Sequence, residues 1–310
     1  MEESRILKIE TLAGDGKIVE LKMLFENGYN QQEIDVAFIL YNMLKIRSVF
    51  VLLFIFTGYA AVCQNNYEDG KNEYFNGDVY KAILLFTNAI ESRQNMAAAY
   101  MMRGAAKGKI GDFNGAVKDL DSSRSLDSLN YKLFFYYGRV CLVNDSFKMA
   151  LPYYDAAIKM NSKDADSYDD RAMTRIQLDD YRGGITDENV AIEIDPKNAS
   201  YYTNRGYAKM QLAEYKEAIA DYDKSITISP SHKALANRGF AFLQLEAYQP
   251  AIDDFTKALE FYPKDHYVFY YRGLAYKGLG KKDQACSDFK TSAGLGNLKA
   301  VEDQKSVCPL

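Results

Sequence analysis

The chain has 310 residues, of which 48% are hydrophobic, with 38 basic and 42 acidic side chains. This balance excludes a disordered chain, and a net charge of -4 at pH 7 without a long basic run argues against a nucleic-acid-binding protein. Four cysteines and two histidines leave little material for a metal site. The 25 tyrosines and 17 phenylalanines, against no tryptophan, indicate a fold that requires aromatic rings at many positions.

An export signal is predicted at residues 43–63. A basic start with Lys45 and Arg47 leads into an apolar run at 49–62 that has small residues near its end. These are the three parts of a secretory signal peptide, and a run of about 15 residues is shorter than the roughly 20 needed to span a membrane. We therefore expect the protein to be exported to the periplasm or envelope of a bacterium, with the signal either cleaved or retained as an anchor.

Residues 1–42 precede this signal, and two interpretations of them stay open. Signal peptides begin a protein, so residues 1–42 are interpreted as an upstream extension from a mis-called start codon. Within them, residues 14–28 faintly resemble the second half of an ankyrin repeat, a unit that cannot bury its own face and is not a domain by itself. If the extension is translated, the apolar run becomes an internal anchor.

The cleavage site also has two interpretations. Cleavage between Cys63 and Gln64 suits an ordinary signal peptidase, because small residues stand at the two positions that this enzyme reads. Alternatively, Cys63 becomes the acylated first residue of a lipoprotein, although Val62 stands where such a motif usually has Gly, Ala or Ser. Contact with a membrane is expected only through residues 49–63 or a lipidated Cys63.

A repeat of 34 residues fills residues 64–297. One series of small residues recurs at this spacing with a single deletion: Gly70, Gly104, Gly138, Ala172, Gly206, Gly239 and Gly273. A second series follows twelve positions later: Ala82, Ala116, Ala150, Gly184, Ala218, Ala251 and Ala285. Within a unit, apolar residues recur at helical spacing, break and then resume, which predicts a hairpin of two helices. The Gly of one helix and the Ala of the other are expected to let the two backbones approach closely. In the fourth unit, where Ala and Gly are exchanged, we interpret the exchange as a methyl group that has changed sides.

This pattern resembles the tetratricopeptide repeat family, which sets aromatic, Gly, Ala and Pro residues at fixed positions of a 34-residue unit. The family's leading aromatic falls on Tyr100, Phe134, Tyr168, Tyr202 and Phe269, and its later one on Phe86, Tyr154, Tyr222, Phe255 and Phe289, with Leu120 in the same register. Glu188 departs from that register, which we interpret as local degeneracy of one repeat in preference to the alternative of a functional site. The resemblance implies an all-α, right-handed α-solenoid of seven helix-turn-helix hairpins. The segment Leu298 to Val307 predicts a capping helix within a C-terminal cap at 298–310.

Arginine and aspartate recur together sixteen residues apart. Where one is missing the other is missing too, as at Tyr137 and Tyr153, which implies that they touch. We predict structural salt bridges that are partly buried, because a catalytic pair would not repeat down a stack. The expected pairs are Arg103 with Asp119, Arg171 with Asp187, Arg205 with Asp221, Arg238 with Asp254, and Arg272 with Asp288.

The remaining cysteines predict one disulfide and one inert thiol. Cys286 lies in the last repeat and Cys308 at the end of the cap, so an antiparallel return brings them together, and an oxidising compartment favours the bond. Cys141 is expected to be a buried thiol at a packing position. The sequence holds no phosphate loop, no metal-spaced cluster and no nucleophile with its base, so we predict no enzyme activity, no cofactor and no metal.

The family resemblance implies a function in binding. In such arrays the first helices line a concave groove that takes an extended peptide or a helix of a partner protein. Carried over by position, the groove consists of Tyr67, Lys71, Tyr74, Met101, Phe135, Arg139, Leu142, Met173, Tyr207, Met210, Phe240, Leu243, Tyr267 and Tyr270. We therefore expect a protein interaction scaffold, with a membrane-anchored structural or assembly factor of an envelope complex as the alternative.

Overall fold

The computed structural model describes two strands, at Ile6–Leu12 and Ile18–Leu24, and residues 65–308. The predicted signal at 43–63, Cys63 and the greater part of 1–42 lie outside the described residues. The chain divides into two compact units, Met1–Ser128 and Leu129–Leu310, which are described separately.

The first unit begins with strands β1 (Ile6–Leu12) and β2 (Ile18–Leu24), which pair antiparallel with Ile9 opposite Leu21. The second half of an ankyrin repeat was therefore the wrong expectation for this segment, and the all-helical class holds from residue 65 onward. Apolar and polar residues alternate over residues 7–10 and 19–23, and a period of two predicts a strand.

From residue 65 the described chain is a series of helix-turn-helix hairpins, and this confirms the predicted solenoid class. Hairpins 1 and 2 belong to the first unit, and hairpins 3 to 7 and the predicted capping helix belong to the second. Within each unit, helices that follow one another in sequence pack together. The hairpins, in order, are α1 (Asn66–Asn76) with α2 (Val79–Glu91), α3 (Met96–Lys109) with α4 (Phe113–Leu126), α5 (Tyr131–Val143) with α6 (Phe147–Met160), α7 (Ala165–Gln177) with α8 (Tyr181–Ile194), α9 (Ala199–Gln211) with α10 (Tyr215–Ile228), α11 (His232–Gln244) with α12 (Tyr248–Phe261), and α13 (His266–Gly278) with α14 (Lys282–Gly294), followed by α15 (Leu298–Val307).

The turn inside each hairpin needs one residue with a left-handed backbone. These residues recur at the period of the repeat: Gly77, Gly111, Asp145, Asp179, Ala213, Glu246 and Gly280, all with positive φ. The second helix then begins at once, and at Asp78, Asp112 and Asp180 the capping side chain accepts a hydrogen bond from a backbone N–H of the first turn. The hairpins are therefore closed by backbone geometry, although Ala213 and Glu246 are residues that seldom adopt this conformation.

In hairpins 1, 3, 5, 6 and 7 the core contains a glycine that lies against the ring of the later aromatic position, and in hairpin 2 Gly104 lies against Leu120 instead. A Cβ atom added to Gly206 would lie 2.8 Å from Cε1 of Tyr222, and one added to Gly239 would lie 2.8 Å from Cε1 of Phe255. Both rings are fully buried. The glycine therefore makes room for the ring, in addition to letting the two backbones approach.

Hairpin 4 shows what happens when the ring is absent. Here Ala172 replaces the glycine and the buried Glu188 replaces the ring. The methyl group of Ala172 is therefore matched by the thinner side chain of Glu188, sixteen residues later. A Cβ on Gly184 would instead lie 2.7 Å from Cγ1 of Ile176, so Gly184 accommodates a different neighbour. The interpretation of a methyl group exchanged between Ala172 and Gly184 was incomplete for this reason.

Among the described residues, no helix combines the length and the apolar character that crossing a membrane requires.

Candidate protein-binding groove

The predicted arginine and aspartate pairs lie between the two helices of their hairpins. In hairpin 2, Nη2 of Arg103 lies 2.7 Å from Oδ1 of Asp119, and Nε donates a second hydrogen bond of 2.8 Å to Oδ2. The same two-pronged contact joins Arg171 to Asp187, Arg205 to Asp221, Arg238 to Asp254, and Arg272 to Asp288. All five aspartates are buried. A two-pronged pair of this kind fixes orientation as well as charge.

Each arginine also reaches the second helix of the preceding hairpin. The remaining guanidinium nitrogen of Arg171 contacts Oδ1 of Asp155 at 2.6 Å, and that of Arg205 donates to Oδ1 of Asn189 at 2.7 Å. Arg103, Arg238 and Arg272 make the equivalent contact with Thr87, Asp223 and Thr256. The arginine therefore joins three helices and fixes how one hairpin stacks on the next within each unit.

Three of the aspartates have a second cation that the sequence analysis did not identify. Lys107 lies 2.8 Å from Asp119, Arg175 lies 2.8 Å from Asp187, and Lys209 lies 2.7 Å from Asp221. Each of these cations stands four residues after its arginine, one turn along the same helix. Hairpins 6 and 7 have Phe242 and Tyr276 at this position, with the arginine over the ring.

Hairpin 3 replaces the ion pair with two aromatic rings. Tyr137 and Tyr153 stack with ring centroids 5.0 Å apart and an angle of 12° between their planes. The joint absence of arginine and aspartate therefore has a physical cause, because one kind of contact has been exchanged for another.

The first helices of successive hairpins lie beside one another within each unit. We call the surface they share the groove: it is formed by α1 and α3 in the first unit and by α5, α7, α9, α11 and α13 in the second. The predicted groove residues divide by exposure. Tyr74, Met101 and Phe135 are buried, so they pack between helices and leave little surface for a partner. Tyr267 and Arg139 are exposed, and the partly exposed ones are Tyr67, Lys71, Leu142, Met173, Tyr207, Met210, Phe240, Leu243 and Tyr270.

Two of these residues make contacts that restrict their availability. Phe240 lies edge-on to Tyr271 with ring centroids 4.9 Å apart. The hydroxyl of Tyr270 donates a 3.0 Å hydrogen bond to Asp303 of the capping helix, and burial together with Asp303 raises the pKa of Tyr270 to about 12. Tyr207 is partly exposed and has no such ring contact among the described residues.

Comparison with known proteins identifies the repeat. Models of the tetratricopeptide repeat match residues 199–232 and 232–265, which are hairpins 5 and 6 with the residues that join them. The chain therefore contains tetratricopeptide repeats. No curated protein sequence matches it.

Three solved structures are similar to this tetratricopeptide repeat chain in fold. PilF of Pseudomonas aeruginosa is 16% identical with a TM-score of 0.62, and the match covers 68% of this chain and 97% of PilF. A tetratricopeptide repeat protein of Parabacteroides merdae is 17% identical with a TM-score of 0.54, covering 79% and 98% of the two chains. YrrB, described as a tetratricopeptide repeat protein with an unusual peptide-binding site, is 15% identical with a TM-score of 0.52, covering 60% and 97%. At these identities the likeness concerns the fold alone.

The groove of this tetratricopeptide repeat protein also contains acidic residues that the sequence analysis missed. Asp169 occupies the same position of its repeat as Tyr67, Met101 and Phe135, and unlike Met101 and Phe135 it is partly exposed. Asp166 and Asp170 lie three residues before it and one after it, on the same face of α7. The repeat register alone would have found Asp169, because its spacing from Phe135 is 34 residues.

Glu188 lies beneath this acidic face with no exposed surface. No donor of another described residue bonds to either of its carboxylate oxygens. Burial raises the pKa of Glu188 to about 11, and the charge of Asp169 and a hydrogen bond with Asp169 raise it further, while Asn204 and Arg205 act in the opposite direction. Glu188 is therefore protonated at neutral pH and donates its proton towards Asp169, which also accepts a 2.8 Å hydrogen bond from Asn204.

The capping helix is joined to hairpin 7 by a covalent bond between Cys286 and Cys308, whose Cα atoms are 5.1 Å apart. Lys277 adds an ion pair of 3.0 Å to Asp303 of the same helix. Cys141 is buried, and burial raises the pKa of its thiol, which makes the thiolate scarce.

Proposed function

We propose that the protein is a non-enzymatic scaffold that binds an extended peptide or a helix of a partner protein in the groove. The supporting observation is the row of partly exposed apolar residues along adjacent first helices, with Met173 on α7, Tyr207 and Met210 on α9, and Phe240 on α11. Aromatic residues and methionine are the usual anchors of protein interfaces, because they bury a large area for little conformational entropy. YrrB, which shares the fold, is described as having a peptide-binding site.

Paired substitution on the two faces of hairpins 5 and 6 tests this function. The groove variant is Tyr207→Ala with Phe240→Ala, and the control is Lys216→Ala with Lys224→Ala, two exposed positions on the second helix α10. We expect the groove variant to lose most of the partner that wild type recovers from an extract of its own cells, and the control to recover it fully. Equal recovery by wild type and groove variant contradicts binding in the groove.

The melting temperature of both variants has to be compared with wild type first. Phe240 packs against Tyr271, so its truncation removes part of the stacking between hairpins 6 and 7. A groove variant that unfolds below the temperature of the assay would be replaced by Tyr207→Ala alone, since Tyr207 makes no comparable ring contact.

We further propose that the protein is exported to the bacterial envelope. The supporting observations are the signal pattern at 43–63 and the bond between Cys286 and Cys308, which persists in an oxidising compartment. Mass analysis of the native N-terminus with detergent partitioning tests this. A soluble chain that begins at Gln64 supports a secreted scaffold, and an acylated Cys63 in the detergent phase supports an anchored assembly factor. A native peptide that covers residues 10–20 contradicts the mis-called start.

A further inference from the structure

We propose that the groove at hairpin 4 holds a site for the cationic side chain of a lysine or arginine in the partner segment, formed by Asp166, Asp169 and Asp170 with Glu188 behind them. This inference rests on the proposed function, because it names the chemistry of one residue in the partner. This part of the groove is acidic, whereas the row of groove residues beside it is apolar.

The three aspartates share one face of a single helix. Asp166 stands three and four residues before Asp169 and Asp170 on α7, a spacing that places it one turn from each of them. Asp166 is exposed, and Asp169 and Asp170 are partly exposed. Two of the aspartates accept hydrogen bonds from neutral side chains. Asp166 accepts a 3.2 Å hydrogen bond from the hydroxyl of Tyr201, and Asp169 accepts one from Asn204.

Glu188 is the observation that separates this cluster from an ordinary solvated acidic patch. The equivalent position in the other hairpins holds a buried ring or Leu120, and here it holds a carboxyl group with no exposed surface and no donor facing either oxygen. Burying a polar group without a partner costs free energy, so a local defect would be replaced readily by the ring that the repeat prefers. Asp169 and Asn204 both act on the pKa of Glu188, so its carboxyl group lies next to the aspartate cluster.

The cations near the cluster compensate only part of its acidic character. Nε of Arg139 lies 3.3 Å from Oδ2 of Asp170, and this is the one ion pair to the cluster among the described contacts. Lys233 donates to the amide oxygen of Asn204 at 3.2 Å and makes no direct bond to a carboxylate there. Arg171 and Arg175 are held by Asp187 instead.

The geometry favours an organic cation over a metal ion. Among residues 65–308, no group of three acidic, cysteine or histidine side chains converges in the way that a metal ion requires. Met173, one turn after Asp169 on α7, and Tyr207, at the same repeat position on α9, provide apolar surface beside the carboxylates. A lysine or arginine side chain matches both, because its aliphatic stem packs on apolar groups while its charged end reaches the acids.

Binding of such a cation is coupled to release of a proton. Burial raises the pKa of Asp170 to about 7, with Arg139 acting against the shift, and Glu188 keeps its proton with a pKa of about 11. A positive charge beside these groups favours their ionised forms. We therefore expect proton release when the peptide binds near neutral pH, measured by calorimetry in two buffers of different ionisation enthalpy.

The experiment uses pools of eleven-residue peptides that are random except for a fixed central residue, which is lysine, arginine, glutamate or norleucine. The full chain is compared with the variant Asp166→Asn with Asp169→Asn, which keeps the size of both side chains. The matched control is Glu193→Gln with Glu217→Gln, two exposed acids on second helices. Thermal unfolding of each variant reports whether the fold is intact.

We expect wild type and the control to retain the lysine and arginine pools about tenfold better than the norleucine pool, and the aspartate variant to lose that preference. Binding of all pools without a preference for lysine or arginine overturns this inference and leaves the proposed function standing. A preference that persists in the aspartate variant also overturns it. Retention of no pool by wild type contradicts the proposed function and this inference together.

Discussion

Single ion pairs in this protein differ in how much they stabilise it, because some aspartates have two cations and others have one. Asp221 contacts Arg205 and Lys209, whereas Asp254 contacts Arg238 with no second cation among the described residues. Removing one partner of a buried pair leaves the other charge uncompensated, at a cost of about 3 kcal/mol. We expect Arg238→Ala to lower the free energy of unfolding by about that amount, as measured by chemical denaturation.

Arg205→Ala is the matched comparison for this prediction. Lys209 remains 2.7 Å from Asp221 in that variant, so we expect a loss smaller than that of Arg238→Ala by about 1 kcal/mol. The double variant Arg205→Ala with Lys209→Ala is then expected to match Arg238→Ala. A melting temperature for Arg238→Ala within a degree of wild type contradicts a stabilising role for the whole set of pairs.

Glu188 predicts a dependence of stability on pH. Its folded pKa of about 11 lies above the ordinary value of 4.5, so the folded state keeps a proton that the unfolded state releases above that value. The stabilisation is therefore complete at low pH and decreases as pH rises from about 5 towards 11. We expect the melting temperature of wild type, relative to Glu188→Gln, to increase when pH is lowered from about 9 to about 5.

The other groups around Glu188 are common to both proteins in this comparison. Asp169 and Asp170, whose pKa values burial also raises, contribute to the pH profile of wild type and of Glu188→Gln alike. Parallel profiles for the two proteins would show that Glu188 does not hold its proton in the folded state.

For single residues, the sequence predicts which side chains form ion pairs better than it predicts what surrounds each side chain. The joint presence of arginine and aspartate indicated their contact, because two residues that are replaced together at a fixed spacing have a shared cause. Lys107, Arg175 and Lys209 escaped notice since they occur in three hairpins only, and the spacing of four residues is common in any helix. The acidic face at Asp169 was missed because the apolar residues of neighbouring repeats suggested an apolar groove throughout.

At the scale of the helix pair, the contact between glycine and ring predicts the effect of a single methyl group. A Cβ on Gly206 would lie 2.8 Å from the fully buried ring of Tyr222, which has no room to move. We expect Gly206→Ala to destabilise the protein by about 1–3 kcal/mol, although alanine favours a helix more than glycine does.

Gly294 provides the control for that substitution. It is also helical, and nothing lies within 4 Å of the position that its Cβ would take. We expect Gly294→Ala to leave stability unchanged or to raise it by about 0.5 kcal/mol, as measured by thermal unfolding. Equal effects of the two substitutions would show that the ring does not depend on the glycine.

The capping helix depends on its covalent link. A disulfide that closes a loop of 22 residues stabilises by about 3 kcal/mol through loss of entropy in the unfolded chain. We expect Cys308→Ser, or reduction of wild type, to lower the melting temperature and to remove protection of the amides of α15 from hydrogen exchange. Labelling of Cys286 by a thiol reagent in denatured, unreduced protein would contradict the bond.

The pattern of helices could be predicted from the sequence, whereas the turns between them could not. Seven units in phase define the hairpins, because the small residues and rings must return at each repeat for adjacent helices to pack. The left-handed residues of the turns include Ala213 and Glu246, which carry no turn signal in the sequence. At these two positions the turn imposes a left-handed backbone on residues that seldom adopt one.

For the molecule as a whole, the repeat explains why the residues that specify the fold are not the residues that are proposed to bind a partner. Each hairpin contacts its neighbours in the stack, so the core positions recur and specify the solenoid, while the groove positions vary from one repeat to the next. Tyr207, Phe240 and Tyr267 are apolar variants of this surface, and Asp169 is an acidic one. Exposure could not be predicted from the sequence, because burial of Tyr74, Met101 and Phe135 depends on how adjacent first helices pack.

The proposed function requires that the partner lies on the first helices. Site-specific photocrosslinking in intact cells tests it most directly, with p-benzoylphenylalanine in place of Tyr207 or of Tyr267, whose side chain is 59% exposed. The comparison positions are Lys216 and Lys224, exposed on the second helix α10. We predict crosslinks to the same partner from Tyr207 and Tyr267, and none to it from the lysine positions. Crosslinks of equal yield from both sets, or from the lysine positions alone, would contradict binding in the groove.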